Sequence, residues 1–170
     1  RAWSRIEKIF NNWELKIVGP DEGGYTKILK LLIKELNLER VAIEPAIYGS
    51  EKDKLLSKCD IFVLASKSEN FALTVAESLA VQVPVIATKN TPWSGLDKNQ
   101  CGLWVDDDEN SLANALATSF KLSNEQLIQM GKRGQNWMKN DFSWDLACRK
   151  TKEAYDWVQK KTIKPNFIDM

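Results

Sequence analysis

The stretch Ile61-Phe62-Val63-Leu64-Ala65-Ser66-Lys67-Ser68-Glu69-Asn70-Phe71-Ala72-Leu73-Thr74-Val75-Ala76-Glu77-Ser78-Leu79-Ala80-Val81-Gln82-Val83-Pro84-Val85-Ile86-Ala87-Thr88 decides the fold. Ile61 to Leu64 is wholly apolar and short, which fits a strand buried on both faces at the centre of a sheet. Leu73 to Val81 carries a helical pattern, and Pro84 to Thr88 is a second short apolar strand. Glu69 therefore falls in the loop at a strand's C-terminal end, and Glu77 one to two turns into the next helix. In open parallel α/β sheets, ligands bind at that edge. A helix N-terminus adds unpaired N–H groups and the positive end of its dipole, which suit phosphate. Two acceptors flanking such a helix end suit a ligand that is part sugar and part phosphate.

Outward from this unit, strands and helices keep alternating. Glu14 to Val18, Val41 to Glu44 and Gly102 to Val105 read as strands. Tyr25 to Leu36, Lys52 to Lys58, Ser111 to Phe120, Asn124 to Asn140 and Trp144 to Lys160 read as helices, and Ala2 to Asn11 as the end of one. Ser123 with Gln126 forms a capping box. The expected fold is α/β: a Rossmann-like parallel sheet with helices on both faces, over residues 1–160. The remainder, 161–170, contains Pro165 and little periodicity and is read as a C-terminal tail. Lys27, Lys30 and Lys34 share one helix face and are read as surface.

Composition narrows the chemistry. With 170 residues there is enough chain for one domain with a core. The net charge of +1 gives no reason to expect nucleic acid or an anionic lipid surface as partner. No apolar run is long enough to span a membrane. The three cysteines, Cys59, Cys101 and Cys148, are scattered and lack metal-ligand spacing, so a reduced cytoplasmic setting fits. There is no histidine, which removes His-dependent triads and imidazole general-base chemistry. Asp106-Asp107-Asp108 reads as a turn and helix start rather than a metal site. Gly19 to Gly24 has the spacing of a phosphate loop, but Tyr25 stands where its lysine belongs, so that reading is rejected.

The ordered set of Ser66-Lys67-Ser68-Glu69-Asn70-Phe71, Glu77-Ser78-Leu79-Ala80 and Val83-Pro84-Val85-Ile86-Ala87-Thr88 resembles the donor-binding half of family 4 glycosyltransferases. These are retaining enzymes of the GT-B fold. Trp13 to Gly19, Thr91-Pro92-Trp93 and Cys101 to Val105 match in order, so the likeness runs from about Ala2 to about Val158. The resemblance implies a nucleotide diphosphate sugar as donor, and as acceptor a saccharide or lipid-linked glycan, in bacterial surface polysaccharide synthesis. It implies Glu69 at the transferred sugar, with Asn70, Phe71 and Ala72 lining the same ring. It places the amides of Leu73 and Thr74 at the phosphates, the Leu73 side chain being read as core. It places Glu77 on the ribose hydroxyls, and Tyr48, Gly49 and Gly19 near the base. The bland alternatives are a solvated helical Glu77, a plain loop carboxylate at Glu69 and an ordinary strand-to-helix turn at Tyr48. Lys67 and Lys89 lie near strand ends, where lysines are ordinarily just solvated.

This sequence departs from the family in three places. A glycine usually stands where Ala72 is, so the methyl group narrows the conformations open to that loop. The Arg and Lys that hold the donor diphosphate have no match here. The family's first strand and its acceptor-binding N-terminal domain also have none, so the sheet, in the order 3-2-1-4-5-6, is expected to lack a central strand. The 170 residues by themselves are expected to be inactive. The resemblance implies front-face transfer with retention, no metal and no cofactor, and peripheral attachment to the inner membrane through the domain not matched here. It also implies that the terminal helices, with Phe142-Ser143-Trp144 and Tyr155-Asp156-Trp157, cross back to the N-terminal domain. The plainer reading is that these aromatics fill the helix–sheet core, Trp144 above all. Two alternatives stand beside the transferase: a catalytically silent nucleotide- or partner-binding module, and a nucleotide-sugar epimerase.

Overall fold

The structure, a computed structural model, describes residues 1–168; the last two residues of the tail read over 161–170 lie outside them. Five strands alternate with helices: β1 (Leu15–Val18), α1 (Tyr25–Glu35), β2 (Val41–Glu44), α2 (Gly49–Leu56), β3 (Phe62–Leu64), α3 (Leu73–Ala80), β4 (Val85–Thr88), α4 (Gly95–Lys98) and β5 (Gly102–Val105). Three helices follow in sequence: α5 (Glu109–Ser119), α6 (Asn124–Asp141) and α7 (Trp144–Val158). The strands, read from short apolar runs, stand where expected. α4 escapes sequence reading because four residues are too few to show a period.

All strand pairs are parallel, but the hydrogen bonding divides them into two sheets. β1 pairs with β2, with Leu15 opposite Val41 and Val18 opposite Glu44. The other sheet runs β3-β4-β5, with Phe62 opposite Val85 and Val85 opposite Gly102. Leu15 of β1 and Val63 of β3 nonetheless pack into one apolar cluster. If β1 and β2 are taken as the second and third strands of the order 3-2-1-4-5-6, the break falls at the position of the first.

Side chains alternate across β4 and feed two cores. Val85 and Ala87 join Val75 and Leu79 of α3, Leu96 of α4, Met138 of α6, Trp93 and Cys101 on one face. Ile86 points the other way, into a cluster with Ala2, Trp3, Ile6, Ala113 and Leu116. Every residue of β4 is buried, as a central strand of a two-faced sheet requires. Each such large aliphatic side chain contributes roughly 1.5–3 kcal/mol by leaving water. Glycine lets α6 approach α3: a Cβ on Gly131 would stand 1.8 Å from the Gln82 carbonyl oxygen.

The N-terminal segment is not the helix expected over Ala2 to Asn11. It makes one 3-10 turn, Trp3–Arg5, and leaves helical geometry at Ile6, where φ is −122°. The buried Glu7 carboxylate accepts from the indole of Trp3 (3.0 Å) and from the backbone N–H groups of Glu39 (3.1 Å) and Arg40 (2.8 Å). This ties the segment to the start of β2. Trp13 then stacks on Phe120 at 4.0 Å between ring centroids.

Caps follow local chemistry. Asp108 opens α5 by accepting from Asn110 and Ser111 amides, so the acidic triplet is a helix start. The Ser123–Gln126 capping box is present on α6. Lys27, Lys30 and Lys34 are all exposed. Trp144 is not core: it is 85% exposed, and Tyr155 is exposed as well. Both sit on α7, which has no buried residue, so neither fills the helix–sheet core. Among the described residues no helix is long and apolar enough to cross a membrane.

Candidate functional site

Each candidate residue follows the C-terminal end of a strand. Gly19 leaves β1, Tyr48 and Gly49 follow β2, and the loop from Ala65 to Ala72 joins β3 to α3. That loop is held at both ends. Thr88 at the end of β4 donates its hydroxyl to the Ser66 carbonyl at 2.5 Å, and Ser66 donates its own to the Ser68 carbonyl at 3.1 Å. At the far end the Trp93 indole donates to the Phe71 carbonyl. Phe71 also packs against Trp93 and Phe142, with centroids 5.1 and 5.8 Å away. Between these anchors Glu69 and Asn70 stand exposed to solvent.

The loop enters α3 through Ala72 at φ 60°, ψ 70°, a left-handed conformation that costs an L-residue about 1–2 kcal/mol. No side chain caps the helix, and Val75 turns its N–H back to the Ala72 carbonyl. The N–H groups of Leu73 and Thr74, in the first turn of a helix with no side-chain cap, lack intrahelical partners, so they and the positive dipole end are open to an anion. The Leu73 side chain is 68% exposed, contrary to its reading as core. The core face of this helix is carried instead by Val75, Ser78 and Leu79, which places position 73 on the outer side. Leu73 thus offers both its backbone and an apolar surface at the helix tip.

Glu77 is not a freely solvated glutamate. Its Oε1 accepts from the Lys52 ammonium at 2.6 Å, both side chains being about one-third exposed, while its Oε2 is shielded from water and has no hydrogen-bond partner. This ion pair joins α2 to α3, so the helix that starts at Gly49 is tied directly to the helix that carries Glu77. Tyr48 is 74% exposed just before α2, and Gly49 takes φ +59° at its first position. Gly19 is half-buried, and its N–H reaches the Glu44 carbonyl at 3.4 Å, linking the ends of β1 and β2. Lys67 is exposed in the loop, and Lys89 pairs with Asp106 at 2.9 Å.

Sequence reasoning missed Lys52, Trp93 as an anchor and Phe142. Their partners lie 25, 22 and 71 residues away, so nothing local marks them. Helical spacing places Lys52 merely on a charged face of α2.

The chain belongs to the glycosyl transferases group 1 family, whose model matches residues 1–137. Among its curated relatives is the Campylobacter jejuni N-acetylgalactosamine-N,N'-diacetylbacillosaminyl-diphospho-undecaprenol 4-alpha-N-acetylgalactosaminyltransferase. That likeness is 34% identity over 126 residues, covering 71% of this chain and 32% of the relative. The putative colanic acid biosynthesis glycosyltransferase WcaL of Escherichia coli is 26% identical over 75% of this chain and 34% of its own length. The chain thus spans about a third of the length of these relatives. Among solved structures, a glycosyltransferase from Rickettsia africae superposes with a TM-score of 0.79 at 24% identity, over 95% of this chain and 45% of that one. Anabaena HepE in complex with UDP and glucose superposes at 0.71 with 21% identity, over 85% of this chain and 40% of that one. These superpositions establish the GT-B glycosyltransferase fold.

Proposed function

We propose that these residues bind the donor in a retaining glycosyltransferase. It moves a hexose-type sugar from a nucleotide diphosphate to a saccharide or lipid-linked acceptor, in the cytoplasm or at the inner face of the membrane. The observation that carries this reading is the unit from Glu69 to Glu77. An exposed carboxylate, two unpaired helix-tip amides and a half-buried carboxylate with an unused oxygen stand in succession along one loop and one helix. That succession fits a sugar, a diphosphate and a ribose in order. Tyr48, Gly49 and Gly19 would meet the base. The Campylobacter relative's name supports a lipid-linked glycan acceptor.

The leaving diphosphate would be stabilised by the Leu73 and Thr74 amides and the α3 dipole. Glu69 would hold sugar hydroxyls, and the departing phosphate would take the acceptor's proton in front-face attack. Catalysis of this kind rests on positioning and on preorganised charge at the leaving group. No resident metal is required by this scheme, so turnover is expected to survive chelation. The unpaired edges of β1 and β3 would receive one further parallel strand, and a second domain would bring the acceptor. The 170 residues alone would therefore bind nucleotide without turning over.

Calorimetric titration of uridine and guanosine diphosphates into the full-length protein tests this reading. Binding of either one, competed by a nucleotide sugar, supports it. Binding of neither removes the donor-site assignment.

A further inference from the structure

We infer that Lys52 is a positioning residue for nucleoside recognition: it pins one oxygen of Glu77 and holds the other ready for a hydroxyl of the nucleoside sugar. This rests on the ribose role proposed for Glu77. Lys52 is the fourth residue of α2 and Glu77 the fifth of α3, and their Nζ–Oε1 separation is 2.6 Å. An ion pair one-third exposed is worth little to stability in itself, so tying two helices together is a weak account of it. The unused oxygen is the more informative half. A shielded carboxylate oxygen without a donor is unfavourable, and a hydroxyl from a ligand supplies the missing bond.

The torsion that turns a glutamate carboxylate is soft. A rotation of the carboxylate would turn Oε2 toward a ligand hydroxyl while the ammonium follows on its four-carbon stem and keeps its hold on Oε1. Lys52 has a second effect through the same contact. It offsets the negative charge of Glu77 where the ligand brings a diphosphate, and the net repulsion falls. The pair also couples α2, which starts at the proposed base loop, to the ribose carboxylate. Base and ribose subsites would then be set in one geometry.

The test compares the full-length protein with Lys52→Met and Lys52→Arg by titration calorimetry. The probes are uridine or guanosine diphosphate, whichever binds more tightly, and its 2′-deoxy and 3′-deoxy forms. The native protein is expected to prefer the ribonucleotide over at least one deoxy form by about tenfold, as a lost charged hydrogen bond implies. Lys52→Met is expected to reduce that preference to about twofold or less, with a smaller common loss for all three probes from the uncompensated Glu77 charge, and Lys52→Arg to restore most of both. A native preference that persists unchanged in Lys52→Met, an equal loss for all three probes, or a gain in ribonucleotide affinity overturns the role of Lys52 alone. A native protein that binds these nucleotides without any ribose preference overturns the reading of Glu77 itself. Should Lys52→Met fail to fold, Lys52→Gln carries the same comparison.

Discussion

The indole of Trp93 donates its N–H to the carbonyl of Phe71, and the two rings pack with centroids 5.1 Å apart. Trp93 is almost wholly buried and belongs to the core, whereas Phe71 borders the exposed residues Glu69 and Asn70. The bond therefore fastens the proposed sugar loop to the rigid part of the domain. Trp93→Phe keeps most of the apolar volume and removes the donor. It is expected to cost about 1–3 kcal/mol of stability, through an unpaired carbonyl and a small cavity. If the loop holds the sugar, turnover in the full-length enzyme should fall more than affinity for the free nucleotide. Urea denaturation and steady-state kinetics measure the two effects separately.

Glu77→Gln should weaken nucleotide diphosphate binding by about 1–2 kcal/mol, because a charged acceptor becomes a neutral one. Glu69→Ala should instead lower turnover far more than it lowers affinity for the nucleotide without sugar, since Glu69 is assigned to the transferred ring. Equal affinity for Glu77→Gln in calorimetry removes the ribose role. Unchanged turnover for Glu69→Ala removes that residue from the site.

Ala72 takes φ 60° at the entry to α3. Ala72→Gly relieves the left-handed strain but gives the unfolded chain more freedom, so the net gain should be small, about 0.5–1 kcal/mol. Ala72→Val should be destabilising by more than that, because a β-branched residue tolerates this region least. Denaturation midpoints in the order Gly, Ala, Val would verify the strain. A midpoint for Ala72→Gly below that of the native protein would refute it.

Glu7 makes stability depend on pH. Burial alone drives its carboxyl upward, but the N–H groups of Arg40, Trp3 and Glu39 outweigh that, so its pKa lies below the ordinary 4.5. The folded form thus binds fewer protons than the unfolded form just below that value, and stability rises with pH there. The contribution is complete above about pH 4.5 and drains away as the pH falls through the lower folded value. Glu7→Gln is expected to cost about 1–3 kcal/mol at neutral pH and progressively less in acid. Parallel denaturation curves at neutral and acid pH measure the difference.

The cysteines should divide by access. Burial pushes the Cys101 thiol up to about 11, while Cys148 lies exposed on α7. The thiolate is the reactive form, so a neutral maleimide should label Cys148 readily and Cys101 only on unfolding. Mass spectrometry of the labelled native protein checks this.

Much of the fold was legible in the residues themselves. Ile61 to Leu64, Leu73 to Val81 and Pro84 to Thr88 differ in period and in turn chemistry, and those are local properties of a chain. The same holds for the Asp108 cap and the Ser123–Gln126 box, whose partners lie within three residues. The candidate site was legible as positions along the chain, because its parts follow strand ends in order. Besides the long-range partners of the site, parts of the fold were not legible. The N-terminal segment left the helical path because Glu7 is drawn to amides of Glu39 and Arg40. Trp144 and Leu73 came out exposed because which face of a helix is covered depends on what packs beside it.

Sequence alone determined the layers, the strand ends and the acidic spacing, since period, capping and turn propensity act over a few residues. Tertiary structure decided the pinning of Phe71 by Trp93 and the ion pair between Lys52 and Glu77. Each joins residues far apart in the chain. Such pairings arise only when packing brings distant surfaces together, and no local pattern encodes which surfaces will meet.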